Sequence, residues 1–302
     1  MNIVERAAMK RFISECQKWV ETHSMVPLTV VRVYLGVGLF IKGIYFLQNR
    51  DVLDAILASA SLPQVPFAVA QYIIGAHLVG GLLLAVGLFT RLAAFLQMPI
   101  FYGAIAYAYA GQMTTLEARQ GFEFAGLMFF LSGLLVAFGG GDWSLDKVLL
   151  LRKRDSWTHN HPDVFLDLLR VFLGVALFLK AVFFMMHRDE LIQVIERSGT
   201  WSIFPITLAH YVIPAHLVGG ILLALGLLTR WAALAQLPML IAAVFYVYLP
   251  NMLAIEGRQN FEFSSLVLFL LLLTAAFGAG KWSLEHVMSG HRDGEVQPKP
   301  AH

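Results

Sequence analysis

Eight stretches of about 20 mostly apolar residues run through the chain, near 27–47, 66–89, 92–110, 122–139, 164–186, 206–228, 231–249 and 261–279. A hydrocarbon core of ~30 Å needs a helix of about that length. Backbone polar groups in lipid must be satisfied inside the segment that carries them. The pattern therefore predicts an all-α polytopic membrane protein with eight transmembrane helices. The chain is 58% hydrophobic and 14% charged, against about 25% charged in soluble domains, which excludes an ordinary cytosolic enzyme. A net charge of +2, with no basic stripe interleaved with aromatics, gives no sign of a nucleic-acid partner. The one cysteine, Cys16, can form neither an intrachain disulfide nor a cysteine metal cluster.

The eight stretches are four, copied. AHLVGGLLLAVGLFTRLAA (76–94) matches AHLVGGILLALGLLTRWAA (215–233) at fifteen of nineteen positions. RVYLGVGLFIKG (32–43) matches RVFLGVALFLKA (170–181), EARQGFEF (117–124) matches EGRQNFEF (256–263), and Trp143 in GDWSLDKV pairs with Trp282 in GKWSLEHV. Four spans return the chain to its starting side, so the repeats should lie parallel about a pseudo-twofold axis along the membrane normal. The expected organisation is a cytoplasmic amphipathic helix at 1–24, a first repeat at 25–150, a polar linker at 151–162, a second repeat at 163–289 and a disordered tail at 290–302. The first helix would lie on the membrane surface or pack on the protein's own loops. No cleavable signal is read in the first 26 residues.

Orientation follows from the basic loops. The two termini, the 90–91 and 229–230 turns and segment 140–162 carry 13 Lys and Arg residues, while the opposite loops carry 5. Both termini are thus expected in the cytoplasm, and the lipid bilayer is the first partner. Within each repeat, Gly87 and Gly226 should end a span and Thr90 and Thr229 cap the next. Gly80–Gly81 and Gly219–Gly220 should admit a close helix crossing. VLDAILAS and ELIQVIERS read as short interfacial helices.

Ionisable residues within spans are costly, at least ~2.5–3.5 kcal/mol at the bilayer centre, and are candidates for function. At ~1.5 Å rise per residue, Arg32 lies roughly 8 Å inside the first span, Lys42 roughly 22 Å, and His77 near the midplane of the second. Glu123 opens the fourth span, where the helix dipole favours a carboxylate, and Tyr107 and Tyr109 close the third. Lys42, Tyr107, Glu123 and His77 could therefore line one outer-facing cavity, and Lys180, Tyr246, Glu262 and His216 a second. Each has a structural alternative: Arg32 and Arg170 can snorkel, the lysines and glutamates can pair, and the tyrosines fit an aromatic belt. His77 and His216 can be helix glue, quinone or substrate ligands, proton relays or, as the weakest option, haem or metal ligands. His159 and His161 read as solvated linker residues.

The repeated motifs, Arg-x3-Gly…Lys, Gly-x5-Gly-x2-Thr-Arg-x-Ala-Ala, Glu-Phe and Gly-x-Gly-x-Trp-Ser-Leu-Asp/Glu, resemble the DoxX family of bacterial membrane proteins, in tandem form. The resemblance implies four-helix units. It also implies membership of a quinone-linked redox complex in the bacterial inner membrane, possible action on small sulfur compounds at the outer face, and partner subunits that carry electrons. Many relatives carry a glutamate where this chain has His77 and His216. On this reading His77, His216, Glu123 and Glu262 are catalytic candidates, and Lys42, Lys180, Arg32, Arg170, Tyr107 and Tyr246 bind substrate. Quinone is the expected cofactor. The alternatives are a non-catalytic assembly subunit and a small-anion transporter.

Overall fold

A computed structural model describes Glu5, Arg11, Glu15 and residues 25–60, 67–109, 116–149, 162–196, 204–252 and 255–288. Among these, no strand occurs. The first repeat comprises α1 (Val26–Gln48), α2 (Arg50–Ser59), α3 (Phe67–Val86), α4 (Thr90–Tyr109), α5 (Leu116–Phe138) and the short α6 (Leu145–Leu149). The second comprises α7 (Pro162–Met186), α8 (Arg188–Glu196), α9 (Pro205–Leu225), α10 (Thr229–Asn251) and α11 (Ile255–Phe277). Eight of these are long and apolar enough to cross a membrane, and α2 and α8 are the two expected short helices. Glu5, Arg11 and Glu15 are helical. The rest of the expected N-terminal helix, linker residues 151–161 with both histidines, and the tail lie outside the described residues.

The α3–α4 hairpin shows how local chemistry sets the fold. Gly87 takes φ +74°, a left-handed conformation costly for residues with a Cβ, and closes α3 by donating its N–H to Leu83 and Leu84. Gly226 does the same for α9 at φ +70°. The expected Thr90 cap is not made. The Asp146 carboxylate, arriving from α6, accepts the Phe89 and Thr90 N–H groups at 2.6 and 2.9 Å, while the hydroxyls of Thr90 and Thr229 are buried without a partner. A threonine already inside the helix cannot fold back onto its own first turn, so a carboxylate from a distant segment takes the N-terminus.

Three spans depart from a regular α-helix. α3 carries a wide π-type turn at Ala76–Gly80, and α4 and α10 carry one at Ala104–Tyr109 and Ala243–Tyr248, just beyond Pro99 and Pro238. Such turns aim side chains differently from α-helical ones and recur at functional sites. They bear His77, Tyr107, Tyr109, Tyr246 and Tyr248.

The repeats join through a shared core of Leu35, Leu131, Leu135, Leu169, Leu173 and Leu270, drawn from α1, α5, α7 and α11. Reciprocal contacts reveal the twofold relation. Tyr34 stacks on Phe269 with centroids 4.4 Å apart, and their counterparts Phe172 and Phe130 stack at 4.1 Å. Phe124 meets its own counterpart Phe263 at 5.9 Å, which puts α5 and α11 beside the axis. The outward faces remain apolar, with residues such as Val37, Val79, Leu92 and Trp231 exposed, as a lipid-facing belt requires.

Candidate functional site

The four intramembrane basic residues separate into two kinds. Arg32 and Arg170 are each 1% exposed and lie away from the cavities, so neither snorkels nor meets a ligand there. Arg32 donates to the carbonyls of Leu84 at 2.9 Å and Trp143 at 2.7 Å. Arg170 donates to Leu223 at 2.6 Å, Ala224 at 2.9 Å and Trp282 at 2.9 Å. The last carbonyls of a helix have no intrahelical donor, and the planar guanidinium supplies several at once. Each arginine thus ties the end of one span to the chain that leaves another. Their Nη groups are held by backbone oxygen, with Arg170 also beside Asp167, which favours the structural alternative over the expected substrate binding.

Lys42 and Lys180 do the opposite. Both lie at the other end of the bundle, and both reach across to the other repeat. Lys42 donates to Glu262 at 2.5 Å, and Lys180 donates to Glu123 at 2.8 Å. Each carboxylate is shared with an arginine one turn back on its own helix: Arg258 with Glu262 at 3.2 Å, Arg119 with Glu123 at 2.9 Å. Arg258 in turn sits 4.0 Å over the Tyr45 ring, and Arg119 sits 4.5 Å over Phe183. The cavity set expected within each repeat, with Lys42 beside Glu123, is therefore exchanged: the glutamate comes from the partner repeat. The helices also start earlier than expected, so Glu123 and Glu262 stand in the second turn of α5 and α11 rather than the first.

Two cavities adjoin these pairs. The first, about 320 Å³, is lined by Lys42, His77 and Tyr107 of the first repeat and by Arg258 and Gln259 of the second. Its walls mix aliphatic residues with aromatic ones, among them Tyr45, Phe46, Phe101 and Phe124. The His77 ring lies between Phe46 at 6.1 Å and Phe101 at 6.2 Å. The second, about 500 Å³, is lined by Lys180, His216 and Tyr248 of the second repeat and by Arg119, Gln120 and Glu123 of the first. Tyr107 stands where expected. Tyr246 does not line the second cavity, whereas Tyr248, two residues on, does, as its counterpart Tyr109 lines the first.

His77 and His216 are 2% and 5% exposed, and the Nδ1 atom of each is buried without a hydrogen-bond partner. A buried polar group left unsatisfied costs about 1–3 kcal/mol. The same atom is left so in both repeats, which makes it a property of the unit and not an accident of packing. Several participants escaped the sequence reading. Gln97 and Gln236, both fully buried, each donate 2.5 Å bonds to the peptide carbonyl preceding the histidine, at Ala76 and Ala215. Tyr109 donates to Gln259 at 3.1 Å and Gln120 to Tyr248 at 3.0 Å, again reciprocally across the repeats. The signals are present: a glutamine two residues before Pro99 and before Pro238, and Arg-Gln-x-x-Glu opening each fourth span. Among the described residues no group of His, Cys, Asp and Glu is arranged to hold a metal ion.

A family model described as DoxX matches residues 28–110 and 165–249, together more than half of the chain. The matched stretches end before α5 and α11, the helices that supply the exchanged carboxylates. No curated protein and no solved structure matches the chain. Two matched units in one eight-helix bundle, at corresponding places in the two repeats, establish that the chain belongs to the DoxX family as a tandem duplication.

Proposed function

We propose that the protein is the membrane subunit of a quinone-linked redox complex of the bacterial inner membrane, with both termini in the cytoplasm and electrons passed to or from a partner subunit. The observation that carries this reading is the first cavity. A histidine nitrogen there is buried and unpartnered, flanked by two phenylalanine rings, and close to a lysine whose ammonium is held by a carboxylate. A flat carbonyl ring fits this setting: aromatic walls favour ring contacts, and an orphaned imidazole nitrogen can give or take the one hydrogen bond it lacks.

A quinone takes up two electrons and two protons when reduced. In this reading His77 hydrogen-bonds the ring oxygen and hands over a proton. Lys42 stabilises negative charge developing nearby. Glu262, braced by Arg258, keeps that lysine in place. Small reduced sulfur compounds are the donor class to which the family resemblance points.

The test is direct. Protein purified in mild detergent is extracted and its quinone content measured, and quinol formation is followed with reduced sulfur donors in the presence of membrane extract. Co-purifying quinone that falls at least tenfold in His77→Ala is the expected result. No quinone and no quinol formation would overturn the reading. A purely architectural role has one observation in its favour, the complete pairing of both lysines. That role requires Lys42→Met to lower complex yield while leaving turnover per intact complex unchanged.

A further inference from the structure

The two cavities share a centre but extend differently. From Lys42 and His77 the first runs beneath α2, whose Leu53, Ile56 and Leu57 line it, among aromatic side chains. From Lys180 and His216 the second runs along α7, past Leu179, Ala176, Val175 and Leu173, against Leu127 of α5 and Val267 of α11. Two matched substitutions change its character: Leu240 replaces Phe101 and Val267 replaces Met128. The result is a largely aliphatic trough. Residues 172–180 give it a length of about 12 Å at 1.5 Å per residue. Its side is open to the lipid belt, where Val175 and Leu179 are 46% and 49% exposed.

One end of the trough is rich in unused donors. Lys180 uses one N–H on Glu123. Arg119 uses its Nε on the same carboxylate and one Nη2 contact on the Leu179 carbonyl. An ammonium has three N–H groups and a guanidinium five, so two cations share one carboxylate with donors to spare. His216, 5% exposed and with no hydrogen-bond partner at Nδ1, stands at the same place. Cations in a low-dielectric setting favour an anionic partner strongly, and an aliphatic wall favours a saturated chain.

We propose that the second-repeat cavity binds a long-chain anionic amphiphile, its acyl chain lying along α7 and its acidic head at Arg119 and Lys180. The first cavity, lined by α2 and by Tyr45, Phe46, Phe101 and Phe124, is left for the ring-shaped ligand, so the duplicated centres serve two different ligands. This assignment does not rest on the redox reading: it needs only the trough, its lateral opening and the spare donors. A carboxylate head and a phosphate monoester head share the required chemistry.

The experiment uses the full chain in lipid nanodiscs with three photoreactive 16-carbon probes carrying a diazirine on the chain: a fatty acid, a lysophosphatidic acid and a neutral monoacylglycerol. Adducts are mapped by peptide mass spectrometry. The symmetry-equivalent surface of α1, where Val37 and Ile41 are exposed to a similar degree, is the internal control. Residues 172–179 should carry at least fivefold more adduct than 34–41 with one or both acidic probes. Which acidic probe labels more identifies the head group. Val175→Trp, at a lining position five residues from Lys180 and so off its i, i+4 row, narrows the trough and should abolish that excess while leaving the melting temperature and the 34–41 labelling unchanged. Equal labelling of the two surfaces, equal labelling by the neutral probe, or an excess that survives Val175→Trp would overturn the proposal.

Discussion

Lys42 of the first repeat and Glu262 of the second are ion-paired at 2.5 Å, and Lys180 and Glu123 return the contact at 2.8 Å. The exchange makes each half incomplete alone: every lysine that faces a cavity is neutralised from the other side of the pseudo-twofold axis. α5 and α11 are therefore more than walls of their own bundles. Their Arg-Gln-x-x-Glu segments plug into the partner repeat, with Gln259 and Gln120 meeting Tyr109 and Tyr248 beside the ion pairs.

The exchanged pair predicts an order of damage. Lys42→Met leaves Glu262 still held by Arg258, whereas Glu262→Gln leaves both Lys42 and Arg258 without a carboxylate. Removing one partner of a fully buried pair costs 3–5 kcal/mol. Both side chains here are about one-fifth exposed, so about 2 kcal/mol is expected for Glu262→Gln and about half that for Lys42→Met. Thermal unfolding in detergent measures both. The reversed pair, Lys42→Glu with Glu262→Lys, should recover most of the loss. A double variant no more stable than the worse single one would show that the contact contributes nothing directional.

Close approach of α1 and α3 yields a sharper contrast. A Cβ on Gly36 would overlap the backbone nitrogen of Ala85 and lie 2.8 Å from the Gly81 carbonyl oxygen, while a Cβ on Gly38 meets nothing within 4 Å. Backbone cannot swing aside as a side-chain tip can. Gly36→Ala is expected to destabilise by about 2–3 kcal/mol through overpacking. Gly38→Ala, on the same helix, should stabilise by a few tenths to about 1 kcal/mol through helix propensity. Melting temperatures moving in the same direction would refute the packing argument. Gly174 repeats the contact with Ala224 in the second repeat and should respond as Gly36 does.

The spans, the duplication, the hairpin glycines and the two short helices were legible because each depends on local pattern: apolar length, repeated spelling, or a position that demands φ > 0. The depth of Lys42, His77 and Glu123 was legible for the same reason, since rise per residue is fixed. Partner choice was not. Lys42 lies at similar depth to both Glu123 and Glu262, and in a twofold duplication sequence cannot tell a contact within a repeat from the same contact across the axis. The partners of Arg32 were not legible either, because they are main-chain carbonyls, which carry no sequence mark. Nor does the spelling separate Tyr246 from Tyr248: both sit on the same π turn, and of their counterparts Tyr107 and Tyr109 both line the first cavity.

The arginine clamps differ between repeats in one testable respect. Arg170 has a buried carboxylate beside it: Asp167 Oδ1 lies 3.4 Å from Nη2, and Oδ2 accepts the Trp282 N–H at 3.0 Å. The corresponding residue in the first repeat is Thr29, whose hydroxyl donates to the Met25 carbonyl at 3.3 Å. Arg32 therefore carries its charge without an adjacent acid of that kind. Thr29→Asp should transplant the second-repeat arrangement and raise stability by about 1 kcal/mol, the scale of a charge-assisted bond after desolvation. Asp167→Thr should lower stability by more, because it strips a charge partner from a guanidinium 1% exposed. If Thr29→Asp melts lower than the parent, a carboxylate at this position costs more in burial than Arg32 returns.

His77 offers the cleanest separation of function from stability. Its Nδ1 is buried without a partner, so the imidazole should weigh against the folded state, by about 1–3 kcal/mol if nothing compensates. Leucine is close to it in volume and suits a pocket walled by Phe46 and Phe101. His77→Leu is therefore expected to melt higher than the parent, by the equivalent of about 1 kcal/mol, while binding of a short-chain quinone, followed by tryptophan fluorescence, falls at least tenfold. His77→Gln, which keeps a polar group that can both donate and accept, should retain part of the binding and lose the gain in stability. The opposite outcome, a His77→Leu protein that melts lower and binds as before, would make the histidine a fastener between helices. The cavity beside Lys42 would then have no group poised to meet a ligand at its centre.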